Sequence, residues 1–177
     1  MSKAVFIDRD GTITKDKGYI TDVSSLELIP GVSQAINGFH SLGFLVILVT
    51  NQSAVGRGYI TEDVLTEIHE KLKELLSREG SFLDAIYVCP HYPDDGCNCR
   101  KPKPGLIRKA CDDFYIDLTK SYIIGDQKAD IELGRRLDIK SILVLTGHGK
   151  DTVKKTSPTY IVNNILKAER LIKKIEG

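Results

Sequence analysis

A chain of 177 residues, 41% hydrophobic and 28% charged, has the balance of a globular protein with a buried core, which excludes a disordered or fibrous chain. With 25 Lys and Arg against 24 Asp and Glu, no net charge draws it to nucleic acid or to an anionic membrane, and neither is expected as a partner. No apolar run approaches the length of a membrane span and the N-terminus enters an apolar run at once, so a cytoplasmic monomer of one domain, 1–177, is expected.

In chain order, an unalternating apolar run over 4–7 ends in charge at Asp8. Helical spacing follows over 32–42, after Pro30 and Gly31 and before Gly43, a residue that commonly stops a helix. A second apolar run, 44–49, ends at Thr50. Thr61 reads as an N-cap with Glu62 and Asp63 favourable in the first turn. The spacing of Val64, Leu65, Ile68, Leu72 and Leu75 then carries a helix to 78. Further apolar runs lie at 85–88, ending at Cys89, at 122–124, ending at Gly125 and Asp126, and at 142–145, with a short candidate at 160–162. Helices are expected over 104–113, 128–137 and 163–175.

Continuous Val, Ile and Leu runs are what strands covered on both faces require. Their alternation with helices predicts an open, mostly parallel α/β sheet with helices on both faces. Ligands of such sheets sit at the carboxyl ends of the strands. The first four strands end in Asp8, Thr50, Cys89 and Asp126, so the chemistry falls where the architecture wants it.

Around Asp8 the sequence reads FIDRDGT. One carboxylate of such a pair can attack phosphorus while Asp10 serves as general acid and then base, and Gly11 allows a sharp turn. A solvated acidic turn is the plainer alternative for this motif alone. Thr50, in VTNQS, can hold a phosphoryl oxygen through its hydroxyl and the next amide, although Thr-Asn is also ordinary turn chemistry. Arg100 and Lys101, in CRKPKPG, offer fixed cations beside stiffening prolines, or simply a basic loop. Asp126, in IIGDQKAD, suits Mg²⁺, with Asp130 as support; acids at a helix N-terminus are the alternative.

The segment CPHYPDDGCNC, 89–99, sets Cys89, His91, Cys97 and Cys99 in a Cys-x-His-x5-Cys-x-Cys pattern. Three thiolates and an imidazole form the closed tetrahedral set of a structural Zn²⁺, with no vacant position for catalysis. The last ligand directly precedes Arg100 and Lys101, so a metal here would hold both cations in register. Cys111 reads as a small core residue, and His40 and His69 as structural or solvated. His148 follows the fifth strand near the expected active edge.

The order of acidic pair, Thr, Lys and Gly-Asp, each tied to a strand end, resembles the four-motif signature of the haloacid dehalogenase superfamily. The resemblance spans about 6–130. It implies a Rossmann-like fold with Asp8 as nucleophile, Asp10 as acid and base, and Thr50 and Lys101 on the phosphate. It also implies Mg²⁺ on Asp8, Asp126 and the main-chain carbonyl of Asp10. The intervals between motifs leave no room for a large cap domain, which favours a small phosphate ester over a protein substrate.

Within the superfamily the chain resembles the D-glycero-D-manno-heptose-1,7-bisphosphate 7-phosphatases, with histidinol-phosphate phosphatases as relatives. KDKGY at 15–19, TNQSAVGRGY at 50–59 and RKPKPG lean toward the heptose branch and a sugar phosphate. That likeness implies a substrate site lined by Asp16, Lys17, Gly18, Tyr19, Thr50, Asn51, Gln52, Ser53, Arg100 and Lys101. Arg57 reads either as an anion contact or as part of a solvated loop. Where the branch commonly has Lys after Gly-Asp, this chain has Gln127 and then Lys128, whose side chain should point elsewhere. Two rival readings are a zinc-stapled nucleic-acid-binding module and a nucleotide-end phosphatase. The first is opposed by the neutral charge and the complete acid set, and the second predicts a basic groove absent from the sequence.

Overall fold

The computed structural model describes residues 1–177. Six parallel strands form one open sheet: β1 (Lys3–Ile7), β2 (Phe44–Asn51), β3 (Ala85–Cys89), β4 (Tyr122–Gly125), β5 (Lys140–Val144) and β6 (Tyr160–Val162). Their order across the sheet is β3-β2-β1-β4-β5-β6, the doubly wound Rossmann order. The helices are α1 (Val32–Ser41), α2 (Glu62–Arg78), α3 (Gly105–Phe114), α4 (Lys128–Leu137), α5 (Gly149–Thr152) and α6 (Ile165–Glu176). The expected strands and long helices are present within about two residues, and α5 is an addition the apolar pattern did not announce.

Period-two alternation divides the strand residues between two cores. Val5, Ile7, Val46, Leu48, Ile124 and Ile142 face one way, against Phe39 of α1, Leu72 of α2 and Ile172 of α6. Ala4, Phe6, Ile47, Val49 and Ile123 face the other way, against Leu106 and Ile107 of α3 and Leu133 of α4. Burying a side chain such as Phe39 completely stabilises the fold by roughly 1.5–3 kcal/mol. Local signals start the helices where expected: Thr61 Oγ1 accepts from Val64 N at 3.3 Å, and Asn164 Oδ1 from Lys167 N at 3.0 Å. No helix is long and apolar enough to cross a membrane.

The chain steps outward from β1 to β2 and β3 on one side, then crosses back from β3 to β4 on the other side of β1. The strand order therefore reverses between β1 and β4, and a crevice opens beyond their carboxyl ends.

Candidate active site

Asp8 leaves β1 and Asp126 leaves the adjacent β4, so the two carboxylates meet across the crevice. Asp130, in the first turn of α4, joins them. The ligand oxygens of all three lie within 4.8 Å of one another, and all three residues are buried. Such acids repel unless cations intervene.

The chain supplies one cation. Lys101 Nζ stands 2.9 Å from Asp8 Oδ1 and 2.7 Å from Asp130 Oδ1, and donates to the Val49 carbonyl at 2.7 Å. Burial alone would lower its proton affinity, but Asp130 and Asp8 outweigh that and push it up. Its peptide is clamped from β2: Asn51 Oδ1 accepts from Lys101 N at 3.0 Å, and Asn51 Nδ2 donates to Lys101 O at 3.2 Å. Asn51 thus fixes the cation that it precedes in the motif order by fifty residues of chain.

No cation of the chain serves Asp126. Burial first, and then the charge of Asp8, pushes its carboxyl up to about 8. It accepts from the Thr12 hydroxyl at 3.3 Å and the His148 amide at 2.7 Å. Gly11 and Gly147, both at positive φ, close in on it so tightly that a Cβ would lie 2.3 Å or 2.2 Å from Oδ2. Hard oxygen donors, an excess of buried negative charge and room only for a small ion fit Mg²⁺.

Asp10 turns its carboxylate to other partners. Arg9 donates to it from Nε at 3.1 Å and from Nη2 at 2.9 Å, Gln52 Nε2 at 2.8 Å and the Thr14 hydroxyl at 3.1 Å. Gln52 Nε2 also donates to Thr50 Oγ1 at 2.9 Å, so the acidic motif and the Thr motif share one amide.

Of these groups Asp8, Asp10, Thr50, Gln52, Lys101 and Asp130, but not Asp126, line a cavity of about 260 Å³ in which only two of 15 lining residues are hydrophobic, a lining for a strongly polar ligand. Asp8, Asp10, Asp16, Gly18, Tyr19, Thr50, Asn51, Gln52, Ser53, Arg100 and Lys101 all line it. Lys17 does not. Its ammonium is drawn to Glu27, which also takes Lys15, on the outer surface. Gln127 lines the cavity, while Lys128 points away and pairs with Glu132 at 3.3 Å. Arg100 Nη1 is buried without a partner, which marks a place for an anion. His148 closes one rim, its Nε2 2.8 Å from Asp16 Oδ2.

Sequence reasoning missed three features here: the Lys101–Asp130 pair, the burial of Arg9 at 1% exposure, and His69 beside it. None has a short-range signal. Arg9 stands between the two motif carboxylates with no role assigned to it, and His69 reads as structural or solvated.

Cys89, His91, Cys97 and Cys99 converge next to this cavity, their ligand atoms within 4.8 Å of one another. Cys89 Sγ is 3.6 Å from both Cys97 Sγ and His91 Nδ1, and His91 Nδ1 is 3.1 Å from Cys99 Sγ. Tetrahedral thiolates with Zn–S of about 2.3 Å sit about 3.7 Å apart, so the cluster fits zinc with little movement. No disulfide forms among them. The loop is tied down at both ends: Gly56 N donates to Pro90 O at 2.8 Å, and Lys103 Nζ to Cys97 O at 2.6 Å.

Three comparisons with known proteins bear on this site. Residues 98–168 match the HAD-hydrolase-like family model. The chain is 36% identical over its whole length to the whole of the D-glycero-beta-D-manno-heptose-1,7-bisphosphate 7-phosphatase of Pasteurella multocida. It is 40% identical to the enzyme of that name from Pseudomonas aeruginosa, over 89% of this chain and 90% of that one. A crystal structure of D,D-heptose 1,7-bisphosphate phosphatase from B. bronchiseptica, complexed with magnesium and phosphate, superposes with a TM-score of 0.92 at 31% identity. That match covers 98% of this chain and 99% of the other.

Proposed function

Because the chain belongs to the D-glycero-D-manno-heptose-1,7-bisphosphate 7-phosphatase family of haloacid dehalogenase-like hydrolases, we propose that it removes the 7-phosphate of D-glycero-D-manno-heptose 1,7-bisphosphate through an aspartyl-phosphate on Asp8. The observation that carries the proposal is the buried contact of Lys101 with Asp8 at 2.9 Å, at the floor of a polar cavity that also holds Asp10.

Asp8, Asp126 and the main-chain carbonyl of Asp10 would hold Mg²⁺, whose charge lets a carboxylate approach a phosphate dianion. Lys101 adds a second positive charge beside the same nucleophile, and the Thr50 hydroxyl contacts a phosphoryl oxygen. An Asp8 oxygen bonds to phosphorus as the bond from phosphorus to the sugar oxygen breaks, and Asp10 gives that oxygen its proton. Asp10, now a carboxylate, takes a proton from water as the water oxygen attacks phosphorus. Inorganic phosphate leaves and Asp8 is restored. The sugar would lie along Asp16, Gly18, Tyr19, Ser53 and Gln127, with Arg100 meeting its anionic part. Lys17, turned to Glu27, drops out of that set.

The test is phosphate release with Mg²⁺ from heptose 1,7-bisphosphate, histidinol phosphate and 3′-phosphorylated DNA. Preference for the heptose ester supports the reading; preference for either of the others replaces the substrate.

Zinc on Cys89, His91, Cys97 and Cys99 acts in this reading as a brace for Arg100 and Lys101, the next residues of the chain. Cys97→Ser is expected to lose zinc by metal analysis and to lower kcat/KM about tenfold or more, because small displacements of a charged group are costly. A zinc-free, folded variant with unchanged kcat/KM would make the loop irrelevant to turnover.

A further inference from the structure

Arg9 is the largest fully buried side chain, and its guanidinium bonds to Asp10, to Gln52 and to one distant residue. Nε and Nη2 grip the Asp10 carboxylate, and Nη2 also donates to Gln52 Oε1 at 2.8 Å. Nη1 lies 3.3 Å from His69 Nε2, sixty residues away on α2. Arginine has no acceptor, so the imidazole must accept here and carry its own proton on Nδ1. The result is one network, from His69 through Arg9 to Asp10, with a branch through Gln52 to Thr50.

The backbone of Arg9 has no freedom to compensate, since its carbonyl accepts from the amides of Thr12, Ile13 and Thr14. Only the side-chain torsions remain, and His69 anchors the one guanidinium nitrogen that neither Asp10 nor Gln52 touches. A general acid delivers its proton only from a narrow range of positions, and an error near 1 Å can cost about 100-fold.

We propose that His69 is a positioning residue for the hydrolysis, holding the Asp10 carboxyl group, through Arg9, at the angle from which its protonated form gives a proton to the leaving oxygen and its carboxylate form takes one from water. Burial first and then the charge of Arg9 push the imidazole down to about 4, which keeps it neutral and able to accept. The proposal rests on the assignment of Asp10 as acid and base made above.

The experiment compares His69→Leu and His69→Gln in the full, zinc-loaded chain with Mg²⁺, on the sugar phosphate that the wild type hydrolyses best, below both melting temperatures. His69→Leu removes the acceptor and is expected to lower kcat about tenfold with KM changed less than about twofold. His69→Gln restores an acceptor oxygen and is expected to recover kcat to within about threefold of wild type. Wild-type kcat in His69→Leu, or equal impairment of the two variants, overturns the proposal; a purely packing role predicts the latter. Wild-type protein that releases no phosphate from any sugar phosphate points instead to failure of the function assigned above.

Discussion

Asp8→Asn is expected to abolish phosphate release, by about 10⁴-fold or more, while the metal-free protein melts no lower than wild type. The amide keeps the shape of the side chain and its Oδ1, which accepts from Arg9 N at 2.7 Å, but it is no nucleophile. The stability half of the prediction follows from charge. Asp8, Asp126 and Asp130 crowd within 4.8 Å, and Lys101 is the one ammonium placed between two of them. Removing the Asp8 charge relieves Asp126, whose carboxyl that charge helps to push up to about 8. The same change takes away a ligand, so stabilisation by added Mg²⁺ should shrink. Phosphate-release assays together with thermal melts, with and without Mg²⁺, check both halves. Retention of more than about a hundredth of wild-type turnover would move the nucleophile to another residue.

Lys101→Met is expected to damage both activity and stability. The methionine stem fills similar space, but Asp8, Asp130 and the Val49 carbonyl lose their shared donor. Breaking a buried ion pair by removing one partner costs about 3–5 kcal/mol, since a charge is left uncompensated. Loss of a cation beside the transferring phosphoryl group should cost about 10²–10³-fold in kcat.

The penalty of Lys101→Met should depend on pH. Burial raises the Asp130 carboxyl to about 6, against the lowering pull of Lys101. A carboxyl raised in the folded state binds its proton more tightly there than in the unfolded chain. Its folded form therefore loses relative stability as pH climbs from the unfolded value through the folded one. Without Lys101 that folded value moves higher still. The deficit of the variant against wild type should be small near pH 5, where Asp130 takes a proton, and clearly larger near pH 8. Chemical denaturation at the two pH values measures it. An equal deficit at both would mean that Lys101 stabilises by packing alone.

Much of this protein is written in local patterns. The apolar runs that became β1 to β5 are legible because a strand covered on both faces must be apolar at every position. Thr61 announces α2 because an unpaired helical N–H needs an acceptor within a few residues. The cluster of Cys89, His91, Cys97 and Cys99 is legible for the same reason, since four such side chains within eleven residues can meet with only a short loop between them. Asp8, Thr50 and Asp126 could be ordered into a site because strand ends in a parallel sheet collect at one edge, and Lys101, in the loop after β3, joined them through the order of the motifs.

What sequence position could not reveal is which charge answers which. Lys17 sits inside a promising motif, yet Glu27, ten residues further on, draws it to the outer surface. Asp130 reads as support for Asp126 or as a helix-start acid, and it is also a buried partner of Lys101, 29 residues away. Asn51 reads as a substrate contact or as turn chemistry, and it clamps the Lys101 peptide. Arg9 and His69 lie sixty residues apart, and only the packing of α2 against the sheet brings them together.

Asp8 and its motif partners were thus determined by the sequence, because periodicity and strand-end placement are properties of a few neighbouring residues. The pairing of each buried charge was decided by the tertiary structure. Desolvation forces every such group to find a partner, and which partner is in reach depends on where distant segments cross.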